Sequence, residues 1–323
     1  MTGLEMIIIL LLLFVLSFIL FNAIYKRTKY FRNQHLDLES YRKGVPSEID
    51  IAVFGSTYSL YGFQALHKFY GDRCFNFSLN AESIAQDALL FRQYKKHFSI
   101  GGIVIFTLAP CVCYYAYEQS PQYNSYFLLA RREIPNFVFW ESLKFKYPLL
   151  ENLKQLFYSF KYSLSSQNGI QTLDDCFPQS VSQQVAADNM RVMAEGWINL
   201  FHLKNLKDKN ENEENEKNLY ENVVHLREMI NDCLSHHIQP VIVIPPFSAT
   251  LNQFFGEAFL KHGMYRLIQK AVGEENVLIF NYLEDVDFQE NSSLFTDGGF
   301  RLNQAGSTLL CKKVIRELRK IEP

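Results

Sequence analysis

Residues 50–62 read DIAVFGSTYSLYG, and this stretch decides the interpretation of the chain. The short run from Asp50 to Phe54 is typical of a strand that is buried on both faces of a sheet. Gly55 permits a sharp turn directly after the strand, and Ser56 then stands at the start of a predicted helix. In a parallel sheet this places the serine at the edge where ligands bind.

Two interpretations of Ser56 are open at this point. A serine that follows a glycine and precedes a helix often caps that helix with its hydroxyl. The same position also suits a nucleophile, because backbone N–H groups at a helix start can stabilise an oxyanion.

Four further apolar runs predict the remaining strands of the same sheet. They cover residues 73–77, 103–108, 240–244 and 277–281. Segments with helical spacing of apolar residues separate them, around residues 84–91, 190–201, 219–233 and 303–318. Strands that alternate with helices predict an α/β fold, a three-layer αβα domain with a central parallel sheet of about five strands. The methionine and aromatic stripe at 190–201 is interpreted as core.

The amino-terminal segment predicts one transmembrane helix. Residues 6–21 read MIIILLLLFVLSFILF, and with the next four residues they give about 20 residues, or about 30 Å of helix. A cleaved signal peptide would have a shorter apolar region and a small-residue cleavage site. We therefore predict three segments, namely a transmembrane anchor at 1–25, a basic juxtamembrane linker at 26–48 and a domain at 49–323 with an aromatic-rich insertion at about 111–180.

Composition excludes several classes of protein. The 323 residues are 48% hydrophobic, which argues against intrinsic disorder. With 32 basic and 34 acidic residues, the chain lacks the charge of a nucleic-acid-binding protein. Its six cysteines lack zinc-site spacing, and the glycine patterns of dinucleotide and P-loop sites are absent, so we expect no metal and no cofactor.

The end of the chain carries a second set of polar residues. It reads LFTDGGFRLNQAG over residues 294–306. Together, Gly55-Ser56 after the first strand and Asp297…Leu302-Asn303 before the last helix resemble the SGNH/GDSL hydrolase superfamily. More narrowly, they resemble its membrane-anchored branch, which handles acyl groups on cell-surface polymers.

This resemblance implies a role for each matching residue. Ser56 inherits the nucleophile position, with Gly55 beside it. Asn80 and Ala81, after the second strand, fall near the block that supplies an oxyanion-hole amide, although the same loop also suits a helix cap at Asn80 or Ser83. The implied partners are the lipid bilayer, a glycan or acylated polymer, and a membrane-bound acyltransferase or glycan-assembly protein.

The last block departs from the family pattern, Asp-x-x-His-Leu-Asn. Alignment on Leu302-Asn303 puts Arg301 at the histidine position, and arginine stays protonated. Residues 263–323 contain no histidine. A base would then be Asp297 with a pKa raised by burial, or a histidine from elsewhere such as the pair at 236–237. Alternatively, Arg301 binds an anionic group and the site recognises its ligand without catalysis.

Two functions follow as expectations. The first is an acyl esterase or O-acyltransferase that acts on a cell-surface glycan or polymer through Ser56. The second is a catalytically degenerate SGNH-like module that binds a glycan or lipid-linked intermediate for a partner enzyme. The family places its domain outside the cytoplasmic membrane, whereas four basic residues from Lys26 to Arg32 favour the cytoplasm, so the side of the domain stays open.

Overall fold

The computed structural model describes residues 2–151, 154, 155, 157, 182–209, 212–296 and 298–320. The chain divides into two compact units, the first formed by Met1–Arg42 and Tyr123–Cys176 and the second by Lys43–Gln122 and Phe177–Pro323. The predicted residue Asp297 and the end of the aromatic-rich insertion lie outside the described residues.

The strands are β1 (Ile49–Phe54), β2 (Cys74–Asn76), β3 (Phe98–Thr107), β4 (Gln239–Ile244), β5 (Leu278–Asn281), β6 (Phe295–Thr296) and β7 (Arg301–Leu302). The helices up to residue 146 are α1 (Gly3–Arg27), α2 (Lys29–Gln34), α3 (Glu39–Lys43), α4 (Thr57–Gly62), α5 (His67–Tyr70), α6 (Ile84–Tyr94), α7 (Gln122–Leu128) and α8 (Phe139–Lys146). Those after residue 182 are α9 (Gln183–Leu200), α10 (Glu213–Ser235), α11 (Ala249–Asn252), α12 (Glu257–Leu260), α13 (Arg266–Val272), α14 (Val286–Gln289) and α15 (Gln304–Arg319), with a π-helical turn at Lys261–Tyr265.

The first unit contains α1, which is long and apolar enough to cross a membrane, as an anchor or as a signal sequence. Its mean hydropathy reaches 3.1 over an 18-residue window. Thr2 caps the amino-terminal end by accepting a hydrogen bond from the Glu5 N–H, and the Glu5 carboxylate accepts one from the Thr2 N–H. The region after it, predicted as a linker, is largely helical in α2 and α3.

The second unit contains a five-stranded parallel sheet in the order β2-β1-β3-β4-β5. All five predicted strands are therefore confirmed. The main difference is β3, which begins at Phe98 rather than at 103. The first residues of this strand are partly exposed, and a register shift opposite β1 accommodates Gly101 and Gly102. That half of the strand shows no apolar run in the sequence.

Helices flank this sheet, as the uninterrupted apolar pattern of its strands predicts. Successive residues of a strand point to opposite faces, and Ile51 to Phe54 are all buried. On one face, Val53 belongs to a core cluster with Leu310 and Val314 of α15. On the other face, the Phe54 ring lies 5.8 Å from the ring of Phe91 in α6. The α/β architecture is thus confirmed.

Candidate functional site

Ser56 lies at the carboxyl end of β1, where the backbone turns sharply into α4. The turn needs a glycine, because Gly55 has φ of +145° and a Cβ there would come within 3.0 Å of the Thr107 carbonyl oxygen. The Ser56 hydroxyl makes no capping hydrogen bond to α4. Instead, its Oγ accepts a hydrogen bond from the Glu82 N–H at 3.0 Å. Ser56 therefore occupies the cap position of α4, but its hydroxyl is directed to the loop after β2.

The Ser56 side chain lines a cavity of about 200 Å³ at the carboxyl ends of β1 to β4. The wall is predominantly apolar and aromatic. It consists of Ser56, Thr57, Tyr58, Ala81, Glu82, Ala109, Pro110, Cys111, Val112, Tyr115, Trp197, Leu200, Phe201, Phe247 and Phe300. Strand order reverses between β1 and β3, so the cavity lies where doubly wound folds bind their ligands.

The loop after β2 is bonded to the loop after β1. Ala81 has φ of +52°, and its N–H donates to Thr57 Oγ1 at 3.0 Å. Ser83 caps α6, since its hydroxyl accepts a hydrogen bond from the Gln86 N–H. Ala81 lines the cavity, whereas Asn80 does not. The loop thus contributes both a helix cap and part of the cavity wall.

A buried pair of carboxyl groups, Glu82 and Asp87, lies beneath these two loops. The Gly55 N–H donates to Asp87 Oδ1 at 3.2 Å, and the Leu79 N–H donates to Glu82 Oε2 at 2.9 Å. Burial raises the pKa of Asp87 to about 8, against the opposing effects of hydrogen bonds from the Gly55 amide and to Glu82. The pair therefore holds a proton at neutral pH.

Burial raises the pKa of two further titratable groups of the cavity wall, which strengthens their preference for the neutral form. The Tyr58 hydroxyl lies near the backbone of Ser56 and Ala109, and burial, followed by the charge of Asp87, raises its pKa. Burial, followed by neighbouring Cys113, raises the pKa of the Cys111 thiol. A thiol in that state is a poor nucleophile, so Cys111 does not compete with Ser56.

Among the described residues of the last motif, Phe300 is the one that lines the cavity. The Arg301 guanidinium lies 5.3 Å from the ring centre of Tyr61 and 5.0 Å from that of Phe300. Asn303 caps α15 by accepting a hydrogen bond from the Gly306 N–H at 3.0 Å, and it donates to the Ser293 carbonyl. Neither Arg301 nor Asn303 lines the cavity.

No histidine takes the place of the missing base. All eight histidines lie within the described residues, and none of them lines the cavity. In particular, the pair at 236–237 follows α10 at the opposite, amino-terminal side of β4. Over the described ranges there is also no group of three or more histidine, cysteine or acidic residues that could hold a metal ion.

Several site residues were not predicted as such from the sequence. Trp197, Leu200 and Phe201 belong to the stripe interpreted as core, yet they line the cavity. Asp87 was not among the predicted site residues. The available signal was two acidic residues, Glu82 and Asp87, which are five positions apart in the segment after a strand that leads to the site.

No protein-family model matches the chain, and no curated protein matches its sequence significantly. The functional interpretation therefore depends on the site itself.

Proposed function

We propose that this chain is a membrane-anchored SGNH-hydrolase-like protein that transfers or hydrolyses an acyl ester through Ser56. The observation that carries the proposal is the Ser56 hydroxyl in the wall of an apolar cavity at the carboxyl end of β1. An aromatic and aliphatic wall suits the acyl part of an ester, whereas a sugar ring there would lose hydrogen bonds to water. A glycan or polymer acceptor therefore binds outside the cavity.

In this reaction, Ser56 Oγ attacks the ester carbonyl, and the bond from carbonyl carbon to alcohol oxygen breaks. The acyl group stays on Ser56 until water or a second alcohol takes it. The Glu82 N–H, which donates to Ser56 Oγ at 3.0 Å, positions the attacking oxygen, whereas the negative charge develops on the carbonyl oxygen of the ester.

We propose the carboxyl pair of Glu82 and Asp87 as the base, because Glu82 lines the cavity together with Ser56 and Asp87 accepts a hydrogen bond from the Gly55 N–H next to Ser56. The pair takes the proton from Ser56 and returns it to the departing alcohol. With a pKa of about 8, Asp87 is ionised in only a fraction of the molecules at neutral pH, so the reaction should become faster as the pH rises through this value. The pair thus replaces the histidine that the family pattern would place at Arg301.

A fluorophosphonate probe tests the nucleophile in the full-length protein in detergent. We expect covalent labelling of the wild type and none of Ser56→Ala. Ser83→Ala is the matched control, because it removes a buried hydroxyl from the next loop without altering the cavity wall, and it should be labelled. Equal labelling of Ser56→Ala, or an unlabelled wild type, contradicts catalysis.

The second candidate is a binding module, and the absence of a histidine from the cavity wall favours it. Trp197 lines the cavity, so its fluorescence in a Trp140→Phe background reports binding of an acyl amide that cannot be cleaved. Both candidates predict this signal. Saturable binding by a protein that the fluorophosphonate probe does not label identifies the module.

An acyl ester on a cell-surface polymer requires the second unit to lie outside the cytoplasm. Ile100 is 84% exposed and does not line the cavity, so Ile100→Cys gives an accessible thiol away from the site. We expect a membrane-impermeant maleimide to label it in intact cells. Labelling only after permeabilisation would restrict the substrate to a cytoplasmic ester.

A further inference from the structure

The carboxy-terminal end of α1 is packed into the first unit through a buried asparagine. Asn22 is 1% exposed, its Nδ2 donates to the Phe18 carbonyl at 2.9 Å, and its Oδ1 accepts from the Leu149 N–H at 3.0 Å. Tyr25, Phe31 and Leu149 form a small core around this contact. The segment near residue 149 is thus fixed to the last turns of α1.

These contacts set the level of Leu149 relative to a bilayer. Glu5 and Lys26 bracket residues 6–25, and those twenty apolar-rich residues span about 30 Å, the thickness of a bilayer core. Asn22 lies one helical turn before Lys26. Leu149, bonded to Asn22, therefore lies at the boundary between hydrocarbon and headgroups.

The helix α8 ends three residues before Leu149 and exposes its first residues. On its inner side, the Phe145 ring stacks on Tyr126 at 5.0 Å. At its start, the Val138 N–H donates to the Tyr126 hydroxyl at 3.1 Å. These contacts leave Phe139 51% and Trp140 70% exposed. Adjacent exposed aromatic side chains, on the helix that leads to Leu149, are of the residue type that forms the aromatic belt of membrane proteins.

Positive charge accompanies the exposed aromatic side chains. Lys146, at the end of α8, is exposed, and Lys146 and Arg42 both lie close enough to Lys26 to repel its charge. Cations in this arrangement at the end of a membrane span attract anionic headgroups. Their long side chains also reach outward from the boundary to the phosphates.

We propose that Val138, Phe139 and Trp140 insert into the bilayer interface, while Lys26 and Lys146 bind the phosphates of anionic lipids. This surface gives the first unit a second attachment to the membrane beside α1. It depends on α1 remaining in the mature protein and is independent of the chemistry at Ser56.

The full-length protein has two tryptophans, so Trp197→Phe leaves Trp140 as the only one. This variant is reconstituted into phosphatidylcholine vesicles with 30% phosphatidylglycerol, with bromine at carbons 6 and 7 or at carbons 11 and 12 of the acyl chains. We expect blue-shifted Trp140 emission and stronger quenching by the shallow bromines. The proposal is overturned if Trp140 emits at the wavelength of tryptophan in water, is fully quenched by iodide and is not quenched by the bromines.

Two controls distinguish insertion into lipid from burial against protein. Shielding of Trp140 from iodide without quenching by bromine would mean that a second protein copy covers it, which also overturns the proposal. Lys146→Gln should lower the quenching in vesicles with anionic lipid and leave it unchanged in pure phosphatidylcholine. Lys217→Gln, a lysine that is 73% exposed in α10, should change neither. Identical effects of the two substitutions contradict the assignment to Lys146.

Discussion

The loop that begins at Gly55 and the loop that ends at Asn303 carry the two halves of one sequence resemblance, but they use their residues differently. In the first loop, the predicted Ser56 lines the cavity, and its hydroxyl makes no capping hydrogen bond to α4. In the second, Arg301 contacts two rings and Asn303 caps a helix, while Phe300 enters the wall. The comparison teaches that a motif locates a loop more reliably than it identifies the side chain that reaches the site.

The largest effect is expected at Gly55. Gly55→Ala places a Cβ 3.0 Å from the Thr107 carbonyl oxygen at a φ of +145°, which strains the turn that presents Ser56. We expect the free energy of unfolding to fall by about 3 kcal/mol. Denaturant unfolding of the full-length protein in detergent measures this. Gly101→Ala is the control, with a positive φ but no neighbour within 4 Å, and it should cost about 1 kcal/mol. Equal costs would mean that the close approach at Gly55 is unimportant.

The carboxyl pair below the first loop predicts a pH dependence of stability. Because burial raises the pKa of Asp87 from 3.8 to about 8, the folded state keeps a proton that the unfolded chain releases. The stabilisation by this proton is complete at pH values below 3.8, the pKa of Asp87 in the unfolded chain. It is lost as the pH rises towards 8, the pKa in the folded protein. Asp87 should therefore contribute a decrease in the free energy of unfolding of up to about 1.4 kcal/mol per pH unit over this window.

Asp87→Asn keeps the shape of the side chain and removes this titration. Because other groups, such as His35 with a pKa that burial lowers to about 4, titrate in both proteins, the informative quantity is the wild-type free energy of unfolding minus that of Asp87→Asn. This difference should fall between pH 4 and pH 8 in the same unfolding experiment. A difference that instead rises with pH over this range would show that Asp87 is ionised in the folded state.

The second loop predicts a smaller effect at Asn303. Asn303→Ala removes the cap of α15, so the free energy of unfolding should fall by about 1 kcal/mol. Probe labelling at Ser56 should continue at the wild-type rate, because Asn303 does not line the cavity. Asn303→Asp preserves a capping oxygen and should recover most of the stability. Loss of labelling in a folded Asn303→Ala protein would show that Asn303 contributes to the reactivity of Ser56.

The smallest change is expected at Arg301. Arg301→Gln removes the charge that lies over the Tyr61 and Phe300 rings and should lower stability by about 0.5 kcal/mol. Phe300 would then be held less firmly in the cavity wall, so we expect weaker binding of an apolar acyl amide. Arg301→Lys retains the cation and should bind nearly as the wild type does. A loss of binding that is confined to anionic ligands would instead support anion recognition by Arg301.

The sheet was predictable from the sequence because its strands are continuous apolar runs. Ser56 was predictable because the glycine that ends β1 marks the turn. The cavity-wall residues Trp197 and Phe247 were not predictable from the sequence, because only the packing of α9 and of the loop after β4 brings them close to the end of β1. The contact of Asp87 with the Gly55 N–H likewise depends on how α6 meets the loop after β1.

Peptide mass spectrometry after reaction with a fluorophosphonate tests the central claim most directly. The full-length wild type should carry the phosphonyl group on the peptide that contains Ser56, and an excess of an apolar ester should slow its formation. The adduct should form faster as the pH rises through about 8, where the carboxyl pair loses its proton. An adduct on a different serine, or none on Ser56 under these conditions, would contradict the account.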